Sequence, residues 1–134
     1  DVTAPHASGF NRDGNDIMDE IAPSPQDIVI RKHKPSAFAG TALMAFINDL
    51  GADSLIVTGT TTSGCVRASV IDAFSNNIRV AVVEEGCFDR SQASHAVNLC
   101  DMHAKYADVI GTDEAVGFID SLDVEMNVPT GKPL

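Results

Sequence analysis

The stretch SLIVTGTTTSGCV, Ser54 to Val66, is an apolar run that gives way to a string of small residues and reaches a cysteine. Leu55, Ile56 and Val57 in succession read as a strand buried on both faces, as in a parallel sheet. The segment after Cys65 has helical spacing, with Val66, Val70, Ala73 and Phe74 expected to face inward as far as about Asn76. A cysteine therefore stands where a buried strand turns into a helix. A thiol there meets the partial positive charge of unpaired backbone N–H groups, which favours its thiolate. The same N–H groups can hold a developing oxyanion. Residues as small as Thr60, Thr61, Thr62, Ser63 and Gly64 permit a tight turn and close approach of a carbonyl. The segment alone fits two readings, a nucleophile or a small buried hydrophobe, because free cysteine is among the most buried residue types.

Outward from this junction the chain alternates strand and helix. An apolar run at 27–31 reads as a strand, followed by a helix near 42–50 that carries Leu43, Met44, Phe46, Ile47 and Leu50 on one face and stops at Gly51. Strand 79–84 is followed by a loop, then by a helix from about Gln92 to Tyr106 with Ser91 as N-cap. Cys100, in a pattern with Val97 and Ala104, reads as core of that helix. Strand 107–110 precedes a last helix near 113–122, capped by Thr112. Strands separated by helices require right-handed crossovers and a parallel sheet covered on both faces, a three-layer αβα arrangement. Residues 1–25, rich in Gly, Asn, Asp and Pro, read as an irregular lead-in, and 123–134 as an extended tail, within a single domain spanning 1–134.

Lys32 ends the apolar run Asp27 to Arg31 and opens the string KHKPSAFAGT, Lys32 to Thr41. A lysine at the C-terminal tip of a strand faces the edge where open α/β sheets bind ligands. The pattern K-x-x-x-S-A-F-x-G-T, followed by V-T-G-T-T-T-S-G-C-V-R at Val57 to Arg67, resembles the cysteine hydrolases of the isochorismatase-like superfamily. Within that superfamily the chain looks closest to amidohydrolases of the N-carbamoylsarcosine amidase and maleamate amidase kind, from about Asp19 to Leu122.

The resemblance implies that Cys65 is the nucleophile and Lys32 the triad lysine. It implies a cis peptide bond between Thr60 and Thr61, and an oxyanion hole made by the N–H groups of Thr61 and Cys65. The string EEGCFDR, Glu84 to Arg90, resembles the family loop whose arginine pairs with a substrate carboxylate, and so Arg90 is the candidate for that role. The alternative for Arg90 is a surface ion pair with Asp89 or Glu85. The family's third catalytic residue is an aspartate at the end of the first strand, in a D-x-Q-x-x-F-like setting. The segment beginning at Asp1, D-V-T-A-P-H, has neither the glutamine nor an apolar strand before it. The expectation is an isochorismatase-like domain lacking the first strand and its helix, with the aspartate supplied by missing sequence or by another chain. The Asp/His metal cluster of the nicotinamidase branch would lie in the unmatched part, so neither metal nor other cofactor is expected.

The chain of 134 residues has 44% hydrophobic and only 5% aromatic residues, which calls for an aliphatic core in one domain. A net charge of −10 argues against nucleic acid and anionic membrane surfaces as partners, since both select basic patches. A small anionic amide would then need a local cation, which Arg90 with Lys32 near it offers. No run reaches the roughly 18 apolar residues of a membrane span. Cys65, Cys87 and Cys100 are an odd count without metal-ligand spacing, which fits reduced thiols in a cytoplasmic protein. Cys87 reads as a bystander on a loop near the site. His33 and His95 are near the site in sequence, but the resemblance uses lysine and aspartate, and His6 and His103 match no motif. A phosphatase or rhodanese reading fails because Ile71, not arginine, stands six positions after Cys65, and Arg67 is too close to close an anion cradle. An exposed sheet edge is avoided in natural proteins, so a homo-oligomer, dimer or tetramer, is expected.

Overall fold

The computed structural model describes residues 17–122. Residues 1–16 and 123–134, which hold most of the irregular lead-in and all of the tail expected from sequence, lie outside the described residues. A short 3-10 turn at Asp19–Ile21 is followed by α1 (Leu43–Asp49) and β1 (Ser54–Thr60). A π-helical turn (Thr62–Val66) leads into α2 (Arg67–Ser75), and then come β2 (Arg79–Phe88), α3 (Gln92–Lys105), β3 (Asp108–Ile110) and α4 (Thr112–Ser121). The sheet has the order β1-β2-β3, and both pairings are parallel. Parallel neighbours need a crossover, and α2 and α3 supply the two crossovers.

The pleat separates the two faces. Val80 and Val82 of β2 enter one cluster with Val66 and Val70, Ala73 of α2, and Leu99 and Met102 of α3. Val83 points the opposite way along the strand. It is buried outside that cluster, as is Ala115 of α4, the helix that packs on β2 from the second face. The result is the three-layer parallel arrangement that the alternation of elements required. The buried set is aliphatic: Val70, Ala73, Val82 and Met102 are fully buried.

Several sequence expectations are corrected. The run 27–31 is not a strand, and Ile28 and Val29 are 48% and 64% exposed. A strand exists only through its ladder, and among the described residues β1 pairs with β2 alone. Strand β2 continues to Phe88, through most of the expected loop, so Cys87 lies on a strand and is half-buried. The extension bulges: Val57 pairs with Val82 but Gly59 with Cys87, so β2 spends more residues than β1 over the same rise. Gly86 falls in this bulge, where an added Cβ would sit 2.8 Å from the Thr58 methyl. Phe74 is 50% exposed rather than inward, its ring edge-on to Tyr106 at 5.6 Å. Phe46 and Leu50 of α1 are likewise exposed, leaving Ile47 as its buried anchor. Cys100 is exposed, with Val97, because α3 turns Leu99 and Met102 to the sheet instead.

Helix starts follow local chemistry in one case and tertiary contact in another. Ser91 caps α3, accepting from Ser94 N–H at 3.4 Å. Thr112, expected to cap α4, is its first residue. The acceptor there is Glu85 of the β2 bulge, whose carboxylate takes the Thr112 N–H at 2.9 Å and its hydroxyl at 3.1 Å. Backbone hydrogen bonding at Glu85 itself, then these Thr112 bonds, hold the Glu85 carboxyl below its ordinary value of 4.5. A carboxylate with a depressed folded-state pKa stabilises the fold above its unfolded pKa, and that contribution disappears as pH falls through the folded value. Glu85→Gln is therefore expected to lower the urea midpoint at pH 7 and to leave it close to the parent's when both are measured below the depressed folded-state value of Glu85. An equal deficit at both pH values would assign the loss to shape rather than charge.

Candidate active site

The C-terminal end of β1 carries the site. Gly59, at φ 119°, takes a backbone conformation that suits glycine, and the Thr60–Thr61 peptide bond after it is cis. The Thr61 carbonyl then accepts two backbone hydrogen bonds, from Gly64 at 2.9 Å and from Val66 at 3.2 Å. The second closes the wide π turn, a rare form that is frequently found at functional sites. Cys65 lies in this turn, half-buried, two residues before α2 begins at Arg67.

Lys32 reaches the thiol across 33 residues, its Nζ 3.3 Å from Cys65 Sγ. The same Nζ donates to the carbonyls of Lys34 at 3.1 Å and Pro35 at 3.2 Å. An ammonium has three N–H donors and no acceptor, and each donor here has a partner. The lysine is thus presented as a cation held beside the sulfur. The loss of the expected strand at 27–31 does not disturb this, because the loop carbonyls orient the amine.

Three further contacts fasten the turn, and sequence reading singled out none of them. The Ser69 hydroxyl donates to the Cys65 carbonyl at 2.8 Å and accepts the Ala37 N–H at 2.9 Å, joining the lysine-bearing segment to α2. The Asp89 carboxylate accepts the Ser63 N–H at 2.7 Å, and hydrogen bonding from Ser63 is the main reason its carboxyl lies below the ordinary range. The Thr62 hydroxyl, fully buried, is 2.8 Å from His95 Nδ1 on α3. Arg67, just beyond the turn, donates to Asn98 at 3.0 Å and pairs with Asp101, which also pairs with Lys105.

A cleft of about 420 Å³ opens beside the thiol, lined by Lys32, Phe38, Leu43, Cys65, Ser69 and every residue from Leu55 to Thr60. Successive residues of a strand point to opposite faces, so a cleft lined by all of them runs along the edge of β1 rather than over one side. Arg90 is outside this lining and exposed, its N–H on the Asp89 carboxylate at 2.8 Å. It stands at the same end of the sheet, because Asp89 is tied to Ser63. Of the surface partners weighed for Arg90, Glu85 is engaged with Thr112. His33 is exposed, and His103 accepts the Val109 N–H at 3.0 Å. A wider cleft of about 530 Å³, between Arg79, Tyr106 and Asp108, lies at the opposite, N-terminal ends of the strands. Among the described residues no group of three or more His, Cys, Asp or Glu side chains could hold a metal, and no helix is long and apolar enough to cross a membrane.

The family model of the isochorismatase domain matches residues 2–114. The chain belongs to the isochorismatase family. It is 42% identical over 106 residues to an N-carbamoylsarcosine amidase of Arthrobacter sp, covering 79% of this chain and 40% of that protein. It is 37% identical over 100 residues to a maleamate amidohydrolase of Pseudomonas putida, covering 75% of this chain and 47% of the relative. Among solved structures, N-carbamoylsarcosine amidase from Thermoplasma acidophilum superposes with a TM-score of 0.68 at 32% identity, over 77% of this chain and 58% of that one. An isochorismatase family protein from Desulfovibrio vulgaris superposes with a TM-score of 0.76 at 27% identity, over 82% of this chain and 58% of that one. The chain thus spans less than half the length of these two curated relatives.

The Ser69 hydroxyl offers a direct check of how the turn is held. Ser69→Ala leaves the half-buried Ala37 N–H without its acceptor and frees the Cys65 carbonyl. A part-buried donor without a partner costs about 1–3 kcal/mol, and a drop of that size in unfolding free energy by urea titration is expected.

Proposed function

We propose that this isochorismatase-family chain carries the nucleophile and lysine of a cysteine-dependent amidohydrolase. The reaction is release of ammonia from a small linear amide bearing a carboxylate, an N-carbamoyl amino acid or a maleamate-like half-amide. The observation that carries the reading is the contact of Lys32 Nζ with Cys65 Sγ, and the names of the relatives support the substrate class. The thiolate is the nucleophilic form of a cysteine, and the Lys32 amine is the group in contact with the sulfur. Attack on the amide carbon forms the C–S bond and places negative charge on the carbonyl oxygen, which the N–H groups of Thr61 and Cys65 stabilise. The C–N bond then breaks, the nitrogen leaves with a proton as ammonia, and water cleaves the thioester to free the acid and the thiol.

The proton of the thiol needs an acceptor, and Lys32, with three donors directed at three acceptors, is not one. A second reading follows, in which the chain is a structural part that turns over substrate only when a partner chain brings a carboxylate. The cleft along the edge of β1, with Cys65 at its end, favours it, since an added strand there would deliver its terminal side chain to the thiol. In either reading we expect the protein to work as a homo-oligomer.

Cys65→Ser should abolish ammonia release from a panel of small amides by the complete protein while leaving the fold intact, because an oxygen nucleophile is poor without a strong base. Activity within a few-fold of the parent would refute the assignment. Ammonia release by the isolated 134-residue chain, with no second chain in the preparation by intact mass, would refute the partner reading.

Arg90 is proposed to pair with the substrate carboxylate. Lysine gives a point charge where arginine gives a planar fork, so Arg90→Lys is not neutral at a bidentate site. Losing one partner of a desolvated charge pair costs about 2–5 kcal/mol, and kcat/KM for acidic amides should fall roughly 30-fold to several thousand-fold. Amides lacking the carboxylate should be nearly unaffected, and equal slowing of both kinds would assign Arg90 to loop structure instead.

A further inference from the structure

Thr62 and Ser36 are the buried polar residues among those described, and Thr62 is the more deeply buried, with no exposed surface. Its hydroxyl sits 2.8 Å from Nδ1 of His95. A hydroxyl taken out of water needs a partner, so the position of this one is set by where the imidazole stands. The imidazole itself is well placed. His95 lies in the first turn of α3, its N–H on the Ser91 carbonyl at 2.9 Å, and Ser91 caps the helix. Helix α3 packs directly on the π turn, and Thr62 is the first residue of the five that contain Cys65. On the other side of the thiol stands Lys32, brought in by a separate segment. The Cys65 thiol thus stands between these two supports, and of the two only the lysine touches the sulfur.

We propose that His95 is a positioning residue for Cys65, acting through the buried Thr62 hydroxyl to hold the π turn where the thiol meets Lys32. The inference rests on the reading of Cys65 as the nucleophile. Among the described residues no hydrogen bond joins His95 to the sulfur, and its Nδ1 is committed to Thr62. Whether the hydroxyl donates to Nδ1 or accepts from Nδ1–H, the separation of the two groups is the same. The neighbouring Asp89–Ser63 bond supports the next residue of the turn from the end of β2. It does not duplicate the His95 contact, because a backbone N–H at Ser63 leaves the Thr62 side chain free to swing.

The test uses alkylation of Cys65 by iodoacetamide in the full chain, with the modified cysteine located by peptide mass and folding followed by circular dichroism and urea titration. Thr62→Val and His95→Ala are each expected to slow alkylation of Cys65 about tenfold, the scale of one good hydrogen bond. The double variant should be no slower than the slower single, since both remove the same link. His95→Asn should return the rate to within about threefold of the parent, because its amide places a polar atom where Nδ1 stands. Thr62→Ser should react like the parent. A structural role alone would lower the urea midpoint without this pattern of rescue. Parental rates in both Thr62→Val and His95→Ala, additive losses in the double variant, or His95→Asn as slow as His95→Ala would overturn the proposal. If His95→Ala does not fold, Thr62→Ser against Thr62→Val decides, and equal rates in that pair overturn it. A parent in which Cys65 reacts no faster than the exposed Cys100 would overturn the nucleophile reading itself and the proposal with it.

Discussion

The carbonyl oxygen of Thr61 accepts from both Gly64 and Val66, and the arrangement of the site depends on that shared acceptor. A regular α-helical start would bring in one N–H at a narrower spacing. The Gly64 bond spans three residues, whereas the Val66 bond spans five and widens the backbone into a π turn with Cys65 half-buried at its lip. Small residues are required around this carbonyl. At Gly64 an added Cβ would approach the Thr61 hydroxyl to 2.6 Å, so a side chain there would contend with the turn itself.

The turn anchors Val66 in the core, and neighbouring elements fix its polar groups. Helix α3 holds Thr62 through His95, the end of β2 holds Ser63 through Asp89, and Ser69 joins the Cys65 carbonyl to the segment that carries Lys32. These contacts come from elements on different sides of the junction. A group held from several directions has little to reorganise when charge develops nearby, which is the basis of electrostatic preorganisation. The sheet has a corresponding role. Its β2 bulge lets the strand run on beside the end of β1, which brings Asp89 to the turn and Glu85 to the start of α4.

The acidic surface and the site have separate physics. A charge of −10 repels anions at long range, yet the groups at the C-terminal end of β1 include Lys32 and, nearby, Arg90. Long-range repulsion is screened over about 8–10 Å at physiological salt, whereas a cation within a cleft acts at contact. An acidic substrate is therefore compatible with an acidic protein where the contact terms are local and directional.

What the sequence determined by itself was the order of elements and the junction that carries the thiol. Apolar runs, helical spacing and a string of small residues are local properties, and β1, α2, α3 and α4 lie within a few residues of where those patterns put them. The motif resemblance also pointed to Lys32 and Cys65 together, and the fold brings the two within 3.3 Å. Tertiary structure decided the rest. Helix α3 has apolar residues on several faces, so Val97 and Cys100 were as eligible for the core as Leu99 and Met102 until the sheet chose a side. The run at 27–31 had a strand's composition but no ladder to join, because pairing belongs to two segments and not to one. Glu85 at Thr112, His95 at Thr62 and Asp89 at Ser63 are contacts over 26 to 33 residues, set by crossovers that no short window of sequence contains.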